Sequence, residues 1–112
     1  MLTLRKEDGT VVCGRCLVAD SALLRMKGLL GRAGLADDEG IYLAPAGSIH
    51  MFFMRFAIDA VFVDRDLRVA KVVENLRPWR VAAARGARGV FELAAGAAAR
   101  TGVREGDRLT LG

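Results

Sequence analysis

At 112 residues the chain has the length of one domain, with no room for a second independent core. Its composition, 53% hydrophobic and 27% charged, is too apolar for disorder, and no apolar run approaches the roughly 20 residues of a membrane span. The formal charge of +4 is carried almost wholly by arginine, with lysine only at Lys6, Lys27 and Lys71, an excess that permits weak attraction to anions without requiring it.

The N-terminus places Arg5, Lys6, Glu7 and Asp8 where a secretion signal needs its apolar stretch, so a soluble cytoplasmic protein without membrane association is expected. Leu2, Leu4 and Lys6 start an extended segment, and Asp8-Gly9 is a hairpin turn returning into a strand over 10–18, with Gly14-Arg15 marking a bulge. Asp20 or Ser21 caps the clearest helix, about 21–31, in which Leu23, Met26 and Leu30 form the apolar stripe and Gly31 the stop. A polar loop over 34–39 leads to a short strand at 40–43, broken by Pro45-Ala46-Gly47. Segments 48–53, 58–63 and 68–75 are strand-like, the last two joined by a tight turn at 64–67. A surface loop from Pro78 to Gly89 precedes a strand at 90–94, a short Ala-rich helix at about 95–101 stopped by Thr101-Gly102, a turn at Gly106-Asp107 and a last strand at 108–111. Seven or eight short strands with frequent turns predict a mainly β fold, a sandwich or barrel in a single domain over 1–112.

The chemistry concentrates in Ser48–Asp59, where an apolar stretch holds the only histidine, His50, with Met51, Met54, Arg55 and Asp59. A carboxylate in such a strand is partly buried and needs a cation or several donors to stay ionised. Glu92, between Phe91 and Leu93, repeats the situation, and Arg25, Arg32 and Arg55 are the available partners. These carboxylates serve either as buried ion pairs that fix strand register or as ligand-contacting groups; with His50 they can do general acid–base work if they converge. Strand alternation argues against a copper site built from His50, Met51 and Met54 with Cys13 and Cys16. Cys13 and Cys16 have half the ligands of a zinc site and lie within a strand, so they read as apolar fillers, and no metal or cofactor is expected. Arg77, Trp79, Arg80, Arg85 and Arg88 make a basic loop with one aromatic that can stack on and neutralise a nucleotide or strand, but that is read first as a solvated loop whose Trp packs back on the core. Without a nucleic-acid-binding motif or a dense basic stripe, the sequence argues against a nucleic-acid partner.

Four blocks together resemble the bacterial and archaeal family called domain of unknown function 192. They are Ala19–Ser21 with Arg25–Arg32; Gly40–Leu43; Ile49-His50, Met54–Phe56 and Ile58-Asp59 running on to Asp64; and Val90–Leu93 with Ala95-Gly96, Gly102 and Gly106-Asp107. Ala57 stands where the family pattern has proline, and Met51 where it has threonine. The resemblance implies a β-rich, jelly-roll-like fold and no activity, and it draws His50, Met54, Arg55, Asp59 and Glu92 together as one cluster.

The leading expectation is a small-ligand-binding or accessory domain. Its pocket would lie between the sheet and the 21–31 helix, lined by Leu30, Phe53 and Met54, with Arg32, His50, Asp59 and Glu92 as polar contacts and Arg55 nearby. Two alternatives stand beside it: a small-substrate hydrolase or lyase with Asp59 or Glu92 as base and His50 as acid, and a protein-interaction module using the Pro78–Arg88 loop.

Overall fold

Leu2–Lys6 (β1) turns through Asp8 and Gly9 into Val11–Ala19 (β2); Gly9 takes φ 93° there, and the Asp8 carboxylate accepts the Thr10 amide at 2.9 Å. The computed structural model describes residues 1–19 and 29–112. Opposite Leu2 and Leu4 on β1 stand Cys16 and Cys13, three residues apart instead of two, so β2 bulges at the expected Gly14-Arg15. The bulge turns both sulfurs into the same hydrophobic cluster. Of the helix expected over 21–31, only the last three positions fall within the described residues, and they form a turn in which Gly31 has φ 84°.

Glu39–Leu43 (β3) runs parallel to β2, and Ser48–His50 (β4), Ile58–Val63 (β5), Val69–Leu76 (β6), Val81–Ala83 (β7), Gly89–Ala94 (β8) and Leu109–Leu111 (β9) follow, with the short helix Ala97–Thr101 (α1) before β9. Seven strands form one sheet in the order β6-β5-β8-β3-β2-β1-β9, and β4 and β7 form a separate ribbon. The large sheet curls until its edges meet at one end. There Arg68 bridges Arg108, the Val69 amide donates to the Asp107 carbonyl at 2.8 Å, and the Leu109 amide donates to the Leu67 carbonyl at 2.9 Å. Of the two architectures expected, the structure takes the barrel-like one, a curled half-barrel in place of the two facing sheets of a jelly roll.

Every residue of β5 and β8 is buried, which explains their unbroken apolar sequences. One core, with Leu4, Val61, Phe91, Leu93 and Leu109, draws on both ends of the sheet and so fills the curl, where α1 packs through Ala97 and Ala98. The other core, with Ile41, Met51, Ile58, Phe62 and Val90, lies on the opposite face beneath the β4–β7 ribbon.

Two segments depart from expectation. The strand expected over 48–53 ends at His50, because the Met51 carbonyl accepts the amides of both Met54 and Trp79 and the chain turns there. The loop expected over 78–89 contains β7, which pairs with β4 in the register Ser48–Ala83, Ile49–Ala82 and His50–Val81.

Gly40 marks a close approach within the sheet that involves backbone as well as side chains. A Cβ there would sit 2.8 Å from Leu93 Cδ2, 3.0 Å from the Glu92 carbonyl and 3.1 Å from Cys13 Sγ. Because one neighbour is backbone, the side chains cannot absorb the clash alone. Gly40→Ala is expected to lose about 1–3 kcal/mol in urea unfolding, and an unchanged midpoint would refute this account of the glycine.

Candidate functional site

The two carboxylates at the centre of the expected cluster sit on adjacent strands but on opposite faces of the sheet. Asp59 on β5 stands across from Leu93, whereas Glu92 on β8 stands across from Ala60 and Ile41. Directly opposed residues share a face, so a one-residue offset separates the two carboxyls across the thickness of the sheet. They therefore do not form an acid–base pair.

Asp59 is fully buried, and among the described residues no arginine pairs with it. Its Oδ1 accepts the Asn75 amide at 2.9 Å, and its Oδ2 accepts the amides of Gly96 at 3.1 Å and Ala98 at 3.0 Å. Asn75 lies in a β6 bulge, where Ile58 pairs with Leu76 but Ala60 with Val73, and it has φ 52°. Gly96, at the N-cap of α1, brings no side chain to that helix end. Asp59 thus replaces the missing cap from a neighbouring strand and satisfies the amide that the bulge leaves out of the ladder. Through these three contacts Asp59 ties the β6 bulge to the start of α1, an architectural arrangement.

Glu92 is 6% exposed and lies on the face of the second core, and among the described residues none hydrogen-bonds its carboxyl. Burial pushes that carboxyl up to about 7. Arg32, expected in the same cluster, is exposed and grips Glu39 at 3.1 Å, with both carboxylate oxygens accepting from the same guanidinium nitrogen. The Ala36 amide, with that contact, holds the Glu39 carboxyl below its ordinary range. Arg25 lies outside the described residues. Met54 is buried in the second core beside Met51, and Arg55 is exposed.

Cys13 and Cys16 are buried, free thiols. The Cys13 sulfur donates to the Asp38 carbonyl at 3.3 Å, and the neighbouring Cys13 together with burial pushes the Cys16 thiol well above its ordinary range. Held protonated in an apolar core, Cys16 has the character of a filler rather than a nucleophile. Among the described residues no three His, Cys, Asp or Glu side chains gather to hold a metal ion.

His50 belongs to a different neighbourhood. Its side chain is exposed at the tip of the β4–β7 ribbon, where the ring stacks on Phe52 at 4.7 Å and 26°. Phe52 lies 5.8 Å from Trp79 at 30°, and Phe53 meets Trp79 edge-on at 4.9 Å. Phe53 is 71% exposed, Val81 66% and Trp79 60%, so these apolar side chains stand largely in solvent. Phe53 at φ 65° and Trp79 at φ 70° both occupy the left-handed region, which bulky residues rarely adopt. The Met51 carbonyl ties the two turns together by accepting the Trp79 amide at 2.8 Å and the Met54 amide at 3.2 Å. Expectation had Trp79 packing back on the core; the structure turns it outward.

The charge along the ribbon that carries these rings is one-sided. Arg55, Arg77, Arg80, Arg85 and Arg88 are all solvent-accessible, and none makes an ion pair among the described residues. No Asp or Glu occurs from Gly40 to Ile58 or from Asn75 to Phe91.

Among the described residues no helix is long and apolar enough to cross a membrane. A crystal structure of a protein of unknown function from Novosphingobium aromaticivorans superposes with a TM-score of 0.83 at 29% identity, covering 97% of this chain and 82% of that one. A Sinorhizobium meliloti structure described as a candidate transcription regulator (R01717) gives a TM-score of 0.83 at 26% identity, covering 98% and 91%. In sequence, the UPF0127 protein of Thermococcus sibiricus is 32% identical over 84 residues, covering 70% of this chain and 53% of its own length. The UPF0127 protein PH1112 of Pyrococcus horikoshii is 37% identical over 71 residues, covering 61% of each. The matches thus span little more than half the length of those two relatives. The model of the family DUF192, described as Uncharacterized ACR, matches residues 3–111, and the chain belongs to that family.

Proposed function

We propose that the protein is a docking module that engages a partner through the aromatic surface around Trp79. One observation carries this reading: Phe53 and Trp79 are held out in solvent, 71% and 60% exposed, on backbone conformations that cost energy for side chains of their size. Strain of about 1–3 kcal/mol at such positions persists where the surrounding structure imposes it, and it concentrates at functional sites. Large exposed apolar patches on soluble domains mark interaction surfaces, and an aromatic centre with arginine around it is the composition of an interface hot spot. The description of the Sinorhizobium meliloti relative as a candidate transcription regulator favours a role exercised by binding over one exercised by turnover.

The test separates function from stability at one residue. Glycine tolerates a positive φ, so Phe53→Gly is expected to be as stable as the wild type or up to about 1 kcal/mol more stable, because most of the Phe53 ring already faces solvent. The same change, like Trp79→Ala, should abolish photo-cross-linking from a probe at Val81 to its partner in cell extract. A loss of more than about 2 kcal/mol in Phe53→Gly would make the rings part of the core and overturn the reading.

A second reading, a small-ligand site on the face around Glu92, is favoured by the buried carboxyl itself. It predicts thermal stabilisation by a member of a metabolite panel that disappears in Glu92→Gln.

A further inference from the structure

The five arginines flanking the ribbon sit in two segments separated by Asp59–Glu74, which is why the chain order shows no basic stripe. Pairing of β4 with β7 brings those segments together. Arg55, Arg77 and Arg80 lie in the turns at the aromatic end of the ribbon, and Arg85 and Arg88 follow β7 at its far end. The ribbon is three residue pairs long, so roughly 10 Å separates the two groups. No carboxylate in either segment neutralises them. All five are arginine rather than lysine, the side chain that both forks onto phosphate and stacks on planar rings.

Such a surface asks for a ligand with repeated anionic groups and, between them, flat apolar groups. A carboxylate-rich protein segment supplies the charge without the rings. A nucleic-acid duplex supplies the charge but keeps its rings stacked inside. Single strands offer both in every unit, and binding without sequence preference uses a positive track with aromatic stacking. His50, Phe52 and Trp79 form a series of rings tilted by only 26° and 30° from one to the next, with Trp79 60% exposed at its end.

We propose that the aromatic–arginine surface of the β4–β7 ribbon binds single-stranded nucleic acid, a proposal that rests on the docking reading above and names its ligand class. Trp79 is the only tryptophan in the chain, so its fluorescence reports on this surface alone. The probes are a ~12-nucleotide oligodeoxythymidine, a duplex of equal length and polyglutamate, each titrated at ~50 and ~200 mM salt. The single strand is expected to quench Trp79, to bind more tightly than either competitor and to weaken as salt rises. Phe53→Ala should weaken it by about tenfold, and Arg80→Gln should lower the salt slope by about 0.7. Arg108→Gln, at the bridge to Arg68 just before β9, should change neither.

Absence of quenching at ~0.1 mM strand overturns the proposal at a concentration covering the usual non-specific range. Equal binding of polyglutamate, with Phe53→Ala without effect, also overturns it and leaves a docking surface for an acidic protein. The docking reading itself falls separately, through the instability of Phe53→Gly or through cross-linking at Val81 that survives Trp79→Ala.

Discussion

Replacing Asp59 by asparagine is expected to cost about 3–5 kcal/mol of unfolding free energy, a large share of the roughly 5–15 kcal/mol that holds a domain of this kind together. The carboxylate accepts three backbone amides with two oxygens, in a site with no access to water. Asparagine keeps one oxygen and turns an NH2 group toward amides that can only donate. In one orientation Asn75 loses its acceptor; in the other, Gly96 and Ala98 both do. A buried donor left without a partner costs about 1–3 kcal/mol, and the opposed hydrogens add to that. Two structures would loosen together, the β6 bulge at Asn75 and the turn from Ala94 into α1, so amide hydrogen exchange at Ala98 and Asn75 should accelerate more than exchange in β1 or β2. Asp59→Ala should lose at least as much. If Asp59→Asn proved as stable as the wild type, the residue would carry a strained functional role instead, and the architectural assignment would be wrong.

The same residue shows how far the sequence reaches. That Asp59 is buried and needs partners follows from Ile58–Val63 alone, because an apolar strand leaves a carboxylate nowhere else to go. The identity of its partners does not follow: the three amides come from residues 16, 37 and 39 positions away, freed by a bulge and a helix start that only the folded chain brings together. The grouping of Asp59 with Glu92 fails for a related reason. Each lies in a recognisable strand, but the register of β5 against β8 sets Asp59 opposite Leu93 and Glu92 opposite Ala60, and no local pattern encodes that offset. Turn chemistry was legible at Asp8-Gly9 and at Thr101-Gly102, where one or two residues decide the outcome and Gly102 takes φ 75°. The ribbon was not. Three residue pairs contributed by segments some thirty positions apart carry too little periodicity to announce a strand, and Phe52-Phe53 reads as strand interior until the Met51 carbonyl is seen to turn the chain. Trp79 among arginines was visible; its partners on the surface were not.

Glu92 contributes a pH dependence of stability whose sign is opposite to that of a salt-bridged carboxylate. Burial pushes its folded pKa up to about 7 from 4.5, so folding favours the protonated form. Below about pH 4.5 both states hold the proton and the group costs nothing. As pH rises toward 7 the unfolded chain releases its proton while the folded chain keeps it, so stability falls across that window and levels off above pH 7. A gap of this size corresponds to about 3 kcal/mol. Glu92→Gln keeps the shape and removes the titration. It should match the wild type near pH 4.5 in urea unfolding and exceed it by about 3 kcal/mol at pH 8, with the slope between those values attributable to this residue gone. Equal stability at pH 8 would mean that the folded protein holds the ionised carboxylate without penalty, contradicting burial as the governing cause. A gain at pH 8 has a consequence for the second functional reading as well. A carboxyl that lowers stability by about 3 kcal/mol at neutral pH, on a face that among the described residues is built of apolar side chains such as Ile41, Ala60 and Val90, is a feature that packing alone would replace with an apolar residue. Its pH profile should then shift when a cationic metabolite binds, because such a ligand favours the ionised form and moves the window toward lower pH.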